Sequence, residues 1–284
     1  MRDEWKQTLG SLRPLCVLLM ILSGACGSTW RSWYLASNAK DIAKATKAIE
    51  TARDDGERAR AYSDRGRGYS ERARYSKVFK LIADDEYGRL FDLAIRDHEQ
   101  AVSLAPESSD AYLDRGLTYY DRAALEDLSG PEARAHFASA ESDFAAAIER
   151  NGRKARALDM RGLIYTVRGD QDRAIADFTR VMAIDSHLGK LRLAEAYCER
   201  GSTLQKAGNY DAAIADYEKA IEFRTGGGGC DCQPESPLAW IYYETKQYDK
   251  SWEVVKRAKE SRRWIAPEVL EQLKTAPRST GTPS

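Results

Sequence analysis

Long apolar runs are scarce in this 284-residue chain, and so are the Val, Ile and Thr clusters from which strands are built; Ala, Arg, Glu and Tyr dominate instead. An all-α chain follows. Net charge is missing too: 44 Lys and Arg balance 44 Asp and Glu, so no overall field draws the molecule to nucleic acid. Five cysteines and three histidines, without a CxxC or HExxH grouping, leave little material for a metal site or a thiol nucleophile. With no nucleophile elbow, paired-acid constellation or nucleotide motif, the sequence predicts no enzyme, no cofactor and no small-molecule substrate.

What is present begins with a distinct N-terminus. Arg2, Lys6 and Arg13, diluted by Asp3 and Glu4, precede an apolar stretch from Pro14 to Leu22. Nine residues cannot cross about 30 Å of hydrocarbon as a helix, so the stretch reads as a signal-peptide core over residues 1–25. Leu22-Ser23-Gly24-Ala25-Cys26-Gly27 then resembles the lipobox of bacterial lipoproteins, with Ser23 where that family usually has Leu. The resemblance implies that Cys26 becomes an acylated N-terminus, and Gly27 after it implies an outer-membrane lipoprotein facing the periplasm. Cleavage after Ala25 or Gly27 to give a soluble periplasmic or secreted protein is the alternative, and an uncleaved apolar anchor a third. All three place the remaining chain outside the cytoplasm.

Internal repetition organises the rest. Ala61-Tyr62-Ser63-Asp64-Arg65-Gly66 recurs as Ala111 to Gly116, Ala157 to Gly162 and Ala196 to Gly201, and each copy is answered by a second motif: Ala94 to Val102, Ala140 to Ile148, Ala174 to Met182 and Ala213 to Ile221. The pattern resembles the tetratricopeptide repeat, a pair of antiparallel helices in about 34 residues. Leu158, Gly162, Tyr165, Gly169, Ala174 and Phe178 carry it best. The resemblance implies a right-handed α-solenoid: an N-terminal linker and half-repeat helix over 26–58, and units at 59–108, 109–154, 155–193, 194–231 and, degenerate, 232–265. Residues 266–284 complete the chain as a capping helix and a disordered tail. The first two units carry inserts, read as elongated hairpins because Tyr75, Val78, Phe79 and Ile82 keep helical spacing and Gly130-Pro131 marks a helix stop and start, the alternative being two disordered loops. Gly226 to Gly229 follows no strand and reads as a flexible joint.

Glycine inside a helix costs about 1 kcal/mol relative to alanine, so a glycine at one position of four repeats predicts a close helix–helix approach there, with the Ala pairs of the second helix as small partners. The Arg before each glycine has an Asp in the second helix: Arg65 with Asp97, Arg115 with Asp143, Arg161 with Asp177, Arg200 with Asp216. Partly buried ion pairs are expected, within a hairpin or between neighbours. His98 takes the aromatic position of its second helix and is expected in the core, whereas His136 and His187 fall at a helix start and in a connector.

The resemblance also implies an inner groove lined by the first helix of each unit. Transferred by alignment it comprises Arg60, Arg67, Leu113, Leu117, Tyr120, Asp159, Leu163, Val167, Trp240 and Tyr243. Relatives that grip the acidic terminus of heat-shock chaperones use Lys and Asn at two of these positions; here Ser63 and Arg67, Leu113 and Leu117, Asp159 and Leu163, and Cys198 and Ser202 stand there, so that clamp is absent. An envelope scaffold or adaptor binding a protein or peptide partner is the resulting expectation, the alternative being a structural or assembly component acting through its hairpins. With Cys26 acylated, Cys198 at the start of one helix faces the Gly-rich segment of Cys230 and Cys232, and a bridge from Cys198 to either is expected. A Cys230 to Cys232 ring, free thiols or a soft-metal pair are the alternatives.

Overall fold

The computed structural model describes residues 27–79, 84–126, 130–224 and 233–276, and among these it is entirely α-helical. The leader, Cys26, the Gly-rich joint, Cys230, Cys232 and residues 277–284 lie outside the described residues. No helix among the described residues is long and apolar enough to cross a membrane. The chain divides into two compact units, Met1–Arg150 and Asn151–Ser284.

The first unit holds α1 (Gly27–Thr51), α2 (Asp55–Val78), α3 (Asp84–Leu104), α4 (Ser109–Ala124) and α5 (Pro131–Arg150), each packed on the next in chain order up to α4 on α5. Asp54 and Ser108 cap α2 and α4 by accepting from the backbone N–H groups of Glu57 and Ala111, and Pro131 occupies the first position of α5, where no intrahelical donor is needed. The described parts of the inserts are helical, as their spacing predicts: the first lengthens α2 and α3 to 24 and 21 residues, and the second lengthens α5 to 20. The N-terminal helix lies within the span 26–58 read as linker and half-repeat, and Asn38 ties its middle to α2 by donating to the Gly68 carbonyl at 3.0 Å.

The second unit holds α6 (Ala155–Val167), α7 (Gln171–Ile184), α8 (Ser186–Lys206), α9 (Tyr210–Phe223), α10 (Glu235–Glu244), α11 (Tyr248–Glu260) and α12 (Pro267–Thr275). Helix α8 begins eight residues before the repeat boundary drawn at 194, because Asp185 supplies a cap to the Leu188 N–H at 3.0 Å and nothing from Ser186 to Lys206 breaks a helix. His187 therefore sits in a helix and not in a connector. Gly189 makes the early start sterically feasible: a Cβ there would lie 2.2 Å from the Met182 backbone of α7. At the far end α12 packs on α10 and α11, burying Val269 and Leu273.

Each motif glycine meets the second helix of its own hairpin, but the group facing it is a ring and not an alanine. A Cβ at Gly66 would come within 2.7 Å of the His98 imidazole, at Gly116 within 2.8 Å of Phe144, at Gly162 within 2.4 Å of Phe178 and at Gly201 within 3.1 Å of Tyr217. Ala94, Ala101, Ala140, Ala147, Ala174, Ala213 and Ala220 are fully buried around these rings. Packing of a flat ring on a bare backbone explains why the repeat tolerates the helix cost of glycine.

Candidate partner-binding site

The four Arg–Asp pairs close within their own hairpins as two-pronged ion pairs. Nε and Nη2 of Arg65 donate to Asp97 at 2.7 and 2.7 Å, Arg115 to Asp143 at 2.8 and 2.7 Å, Arg161 to Asp177 at 2.7 and 2.8 Å, and Arg200 to Asp216 at 2.7 and 2.7 Å. The carboxylates are buried. Hydrogen bonds to Asp97, Asp143 and Asp216 outweigh burial and hold Arg65, Arg115 and Arg200 above the usual guanidinium range. In three repeats the guanidinium also lies over the Tyr one turn back, Tyr62, Tyr112 and Tyr197, at 5.6, 5.7 and 5.3 Å from the ring centroid. These groups fasten first helix to second helix and are spent on architecture.

In the second unit a cavity of about 440 Å³ opens between α6 and α8 over α7. Leu163, Phe178 and Ala196 supply apolar wall, and Thr166, Ser202, Arg192, Glu195 and Glu199 the polar surround. Arg192 reaches from α8 to α6, donating through Nε to Asp159 at 2.7 Å and through Nη1 to Glu195 at 3.3 Å. Burial pushes the Glu195 carboxyl up against the opposing pull of Arg192. Glu199 accepts from the Gln171 amide at 2.9 Å. With Arg192 neutralised by Asp159, the rim carries an excess of carboxylate. Cys198, on the same wall, is disulfide-bonded, and every other cysteine of the chain lies outside the described residues.

In the first unit a second, more polar cavity of about 270 Å³ separates α1 from α2, lined by Asn38, Asp41, Lys44, Asp64, Arg67 and Glu71 among others. Arg67 bonds Asp64 and donates to Asp114 at 3.0 Å. Burial works to lower its pKa, but the two carboxylates win and raise it.

The residues assigned to a groove from the sequence divide accordingly. Leu163 lines the second-unit cavity and Arg67 the first-unit one, while Asp159 is buried and committed to Arg192. Leu113 is 6% exposed, so it belongs to the core and not to an open groove. Leu117 is half-buried, and Tyr120 rests edge-on against Phe137 at 5.6 Å. Trp240 and Tyr243 pack on the α9–α12 core, edge-on to Tyr210 and tilted on Tyr248. Arg60 and Val167 are exposed. Motif spacing places residues 186–193 at the end of the third repeat and so passes over Arg192; the signal for it is the cap at Asp185 followed by an unbroken helical run.

Residues 194–224, the C-terminal part of α8 with α9, match the tetratricopeptide repeat. No curated protein matches the chain. Among solved structures, a thermophilic TPR protein of Thermus thermophilus is 21% identical, with 74% of this chain and 93% of that one covered at a TM-score of 0.43. YrrB, described as a TPR protein with an unusual peptide-binding site, is 16% identical over 81% and 96% at 0.44. Pseudomonas aeruginosa PilF is 13% identical over 72% and 82% at 0.38.

Proposed function

We propose that the protein is a non-catalytic adaptor of the bacterial cell envelope, tethered by an acyl group on Cys26 and holding a polypeptide partner in the α6–α8 cavity. The observation that carries the reading is that cavity, with Leu163 and Phe178 for an apolar side chain and Glu195 and Glu199 beside it. A peptide presenting an apolar residue next to a basic one matches this chemistry. Val78, 58% exposed at the end of α2, favours a second reading in which the long first hairpin makes the contact.

A photo-crosslinking residue at Thr166 and another at Val78, expressed in the native envelope, separate the two. Crosslinks from Thr166 that disappear with Leu163→Glu or with E195Q/E199Q support the cavity. The double variant guards against simple unfolding, since Glu199 is exposed and Glu195 only half-buried. Crosslinks from Val78 alone move the site to the hairpin. The tether is tested apart: Cys26→Ala is expected to release a protein that otherwise resists salt extraction, because acyl burial and not charge would hold it. Recovery of the wild type as a soluble species defeats that part.

A further inference from the structure

Many arginines of the repeats are tied into ion pairs, whereas residues 256–264 of the second unit form a run of cations without them. Lys256, Arg257, Lys259, Arg262 and Arg263 fall within eight positions against the lone acid Glu260. None of the five makes an ion pair among the described residues, and all but the half-buried Arg263 are exposed. The chain turns here with Arg262 at φ 54°, and the turn leaves Trp264 56% exposed between Arg263 and the buried Ile265. Ile265, with Val254, Val255 and Ala258 of α11, anchors the segment in the core, so the basic groups and the indole project from a fixed base.

We propose that this end of the second unit docks on a bilayer containing anionic phospholipid, the cations meeting headgroup phosphates and Trp264 entering the interface. Charge complementarity supplies the attraction, and it must be local because the chain as a whole is neutral. The single projecting indole favours a bilayer over nucleic acid. Indole has an apolar body and one N–H donor, which suits the headgroup boundary, whereas a single-strand track needs successive aromatic platforms and the described residues offer one exposed ring in this patch. The inference does not depend on the partner cavity or on acylation of Cys26.

The test uses the full chain with vesicles of phosphatidylcholine alone and with 30% phosphatidylglycerol. Two readouts are taken: co-sedimentation, and the emission of Trp264 obtained as the difference between wild type and Trp264→Phe. Apolar partitioning through the leader is common to both lipid mixtures, and the leader's Arg2, Lys6 and Arg13 are present in every variant, so the part of the anionic-lipid increment lost on substituting residues 256–263 isolates the patch. That increment is expected to fall about 25-fold in R262Q/R263Q, at about fivefold per charge, and similarly in K256Q/K259Q, while K40Q/K47Q on α1 leaves it unchanged. The Trp264 component is expected to shift to the blue on the anionic vesicles only. Equal losses in the α1 control, an increment indifferent to both patch variants, or a Trp264 component unmoved by vesicles would each overturn the proposal. Binding of an oligonucleotide that quenches Trp264 where vesicles do not would replace it with a polyanion site.

Discussion

Substituting His98 by Phe should stabilise the first unit and remove the share of its acid sensitivity that the buried imidazole carries. The imidazole is fully buried against Gly66, and neither ring nitrogen has a hydrogen-bond partner among the described residues. One buried donor and one buried acceptor are therefore unmet, a cost of about 1–3 kcal/mol that a hydrocarbon ring would not carry. Phe fits the position, since Phe144 and Phe178 lie on Gly116 and Gly162 in the same way. Burial first, then Arg67 and Arg115, lowers the His98 pKa from 6.5 to about 3. The folded chain thus refuses a proton that the unfolded chain accepts below pH 6.5, and stability drains as pH falls from 6.5 towards 3. At pH 5 an imidazole of pKa 6.5 is protonated about thirtyfold over its neutral form, so the loss relative to pH 7.5 is about 2 kcal/mol. Urea unfolding of wild type and H98F at both pH values measures it. The carboxylates titrate alike in the two proteins and cancel in the difference. The variant is expected to be more stable at pH 7.5 and to widen its lead by about 2 kcal/mol at pH 5. Parallel losses in both proteins would refute the linkage argument, and a less stable H98F at pH 7.5 would show that the ring nitrogens are satisfied.

Three further outcomes follow from the geometry. Arg115→Ala alone should cost about 3–5 kcal/mol, because it strands the buried Asp143 carboxylate, and R115A/D143A should recover much of that; strictly additive losses in thermal or urea unfolding would mean that the pair is not coupled. Lys246 adopts φ 59° at the turn where Gly169 and Gly208 adopt 75° and 76°, so Lys246→Gly should raise stability by about 1 kcal/mol, read as an increase in melting temperature. Cys198 should resist alkylation until reductant is added, and if its partner is Cys230 or Cys232 the bridge closes a loop of about 30 residues, so reduction should cost roughly 3 kcal/mol.

The hairpins were legible because their chemistry is local and repeated. A glycine, an arginine before it and an aspartate in the next helix recur in four copies, and the structure joins them as two-pronged pairs across a ring laid on a bare backbone. What the repeat conceals is where one copy departs from the rest. His98 takes the position of Phe144 and Phe178 with opposite consequences for acid stability, and Lys246 takes the position of two glycines without their freedom. The candidate site lies in a departure too. Alignment assigned Leu113 and Leu163 one surface role, yet Leu113 is buried whereas Leu163 lines a cavity. The wall facing Leu163 comes from α8, whose early start at Ser186 places Arg192 on the helix, where it reaches across to Asp159. Motif spacing cannot register that change, because residues 186–193 belong to no motif. It is set by a cap at Asp185 and by a glycine at 189 that lets two backbones pass, so the feature that gives the second unit its cavity is encoded between the repeats rather than within them.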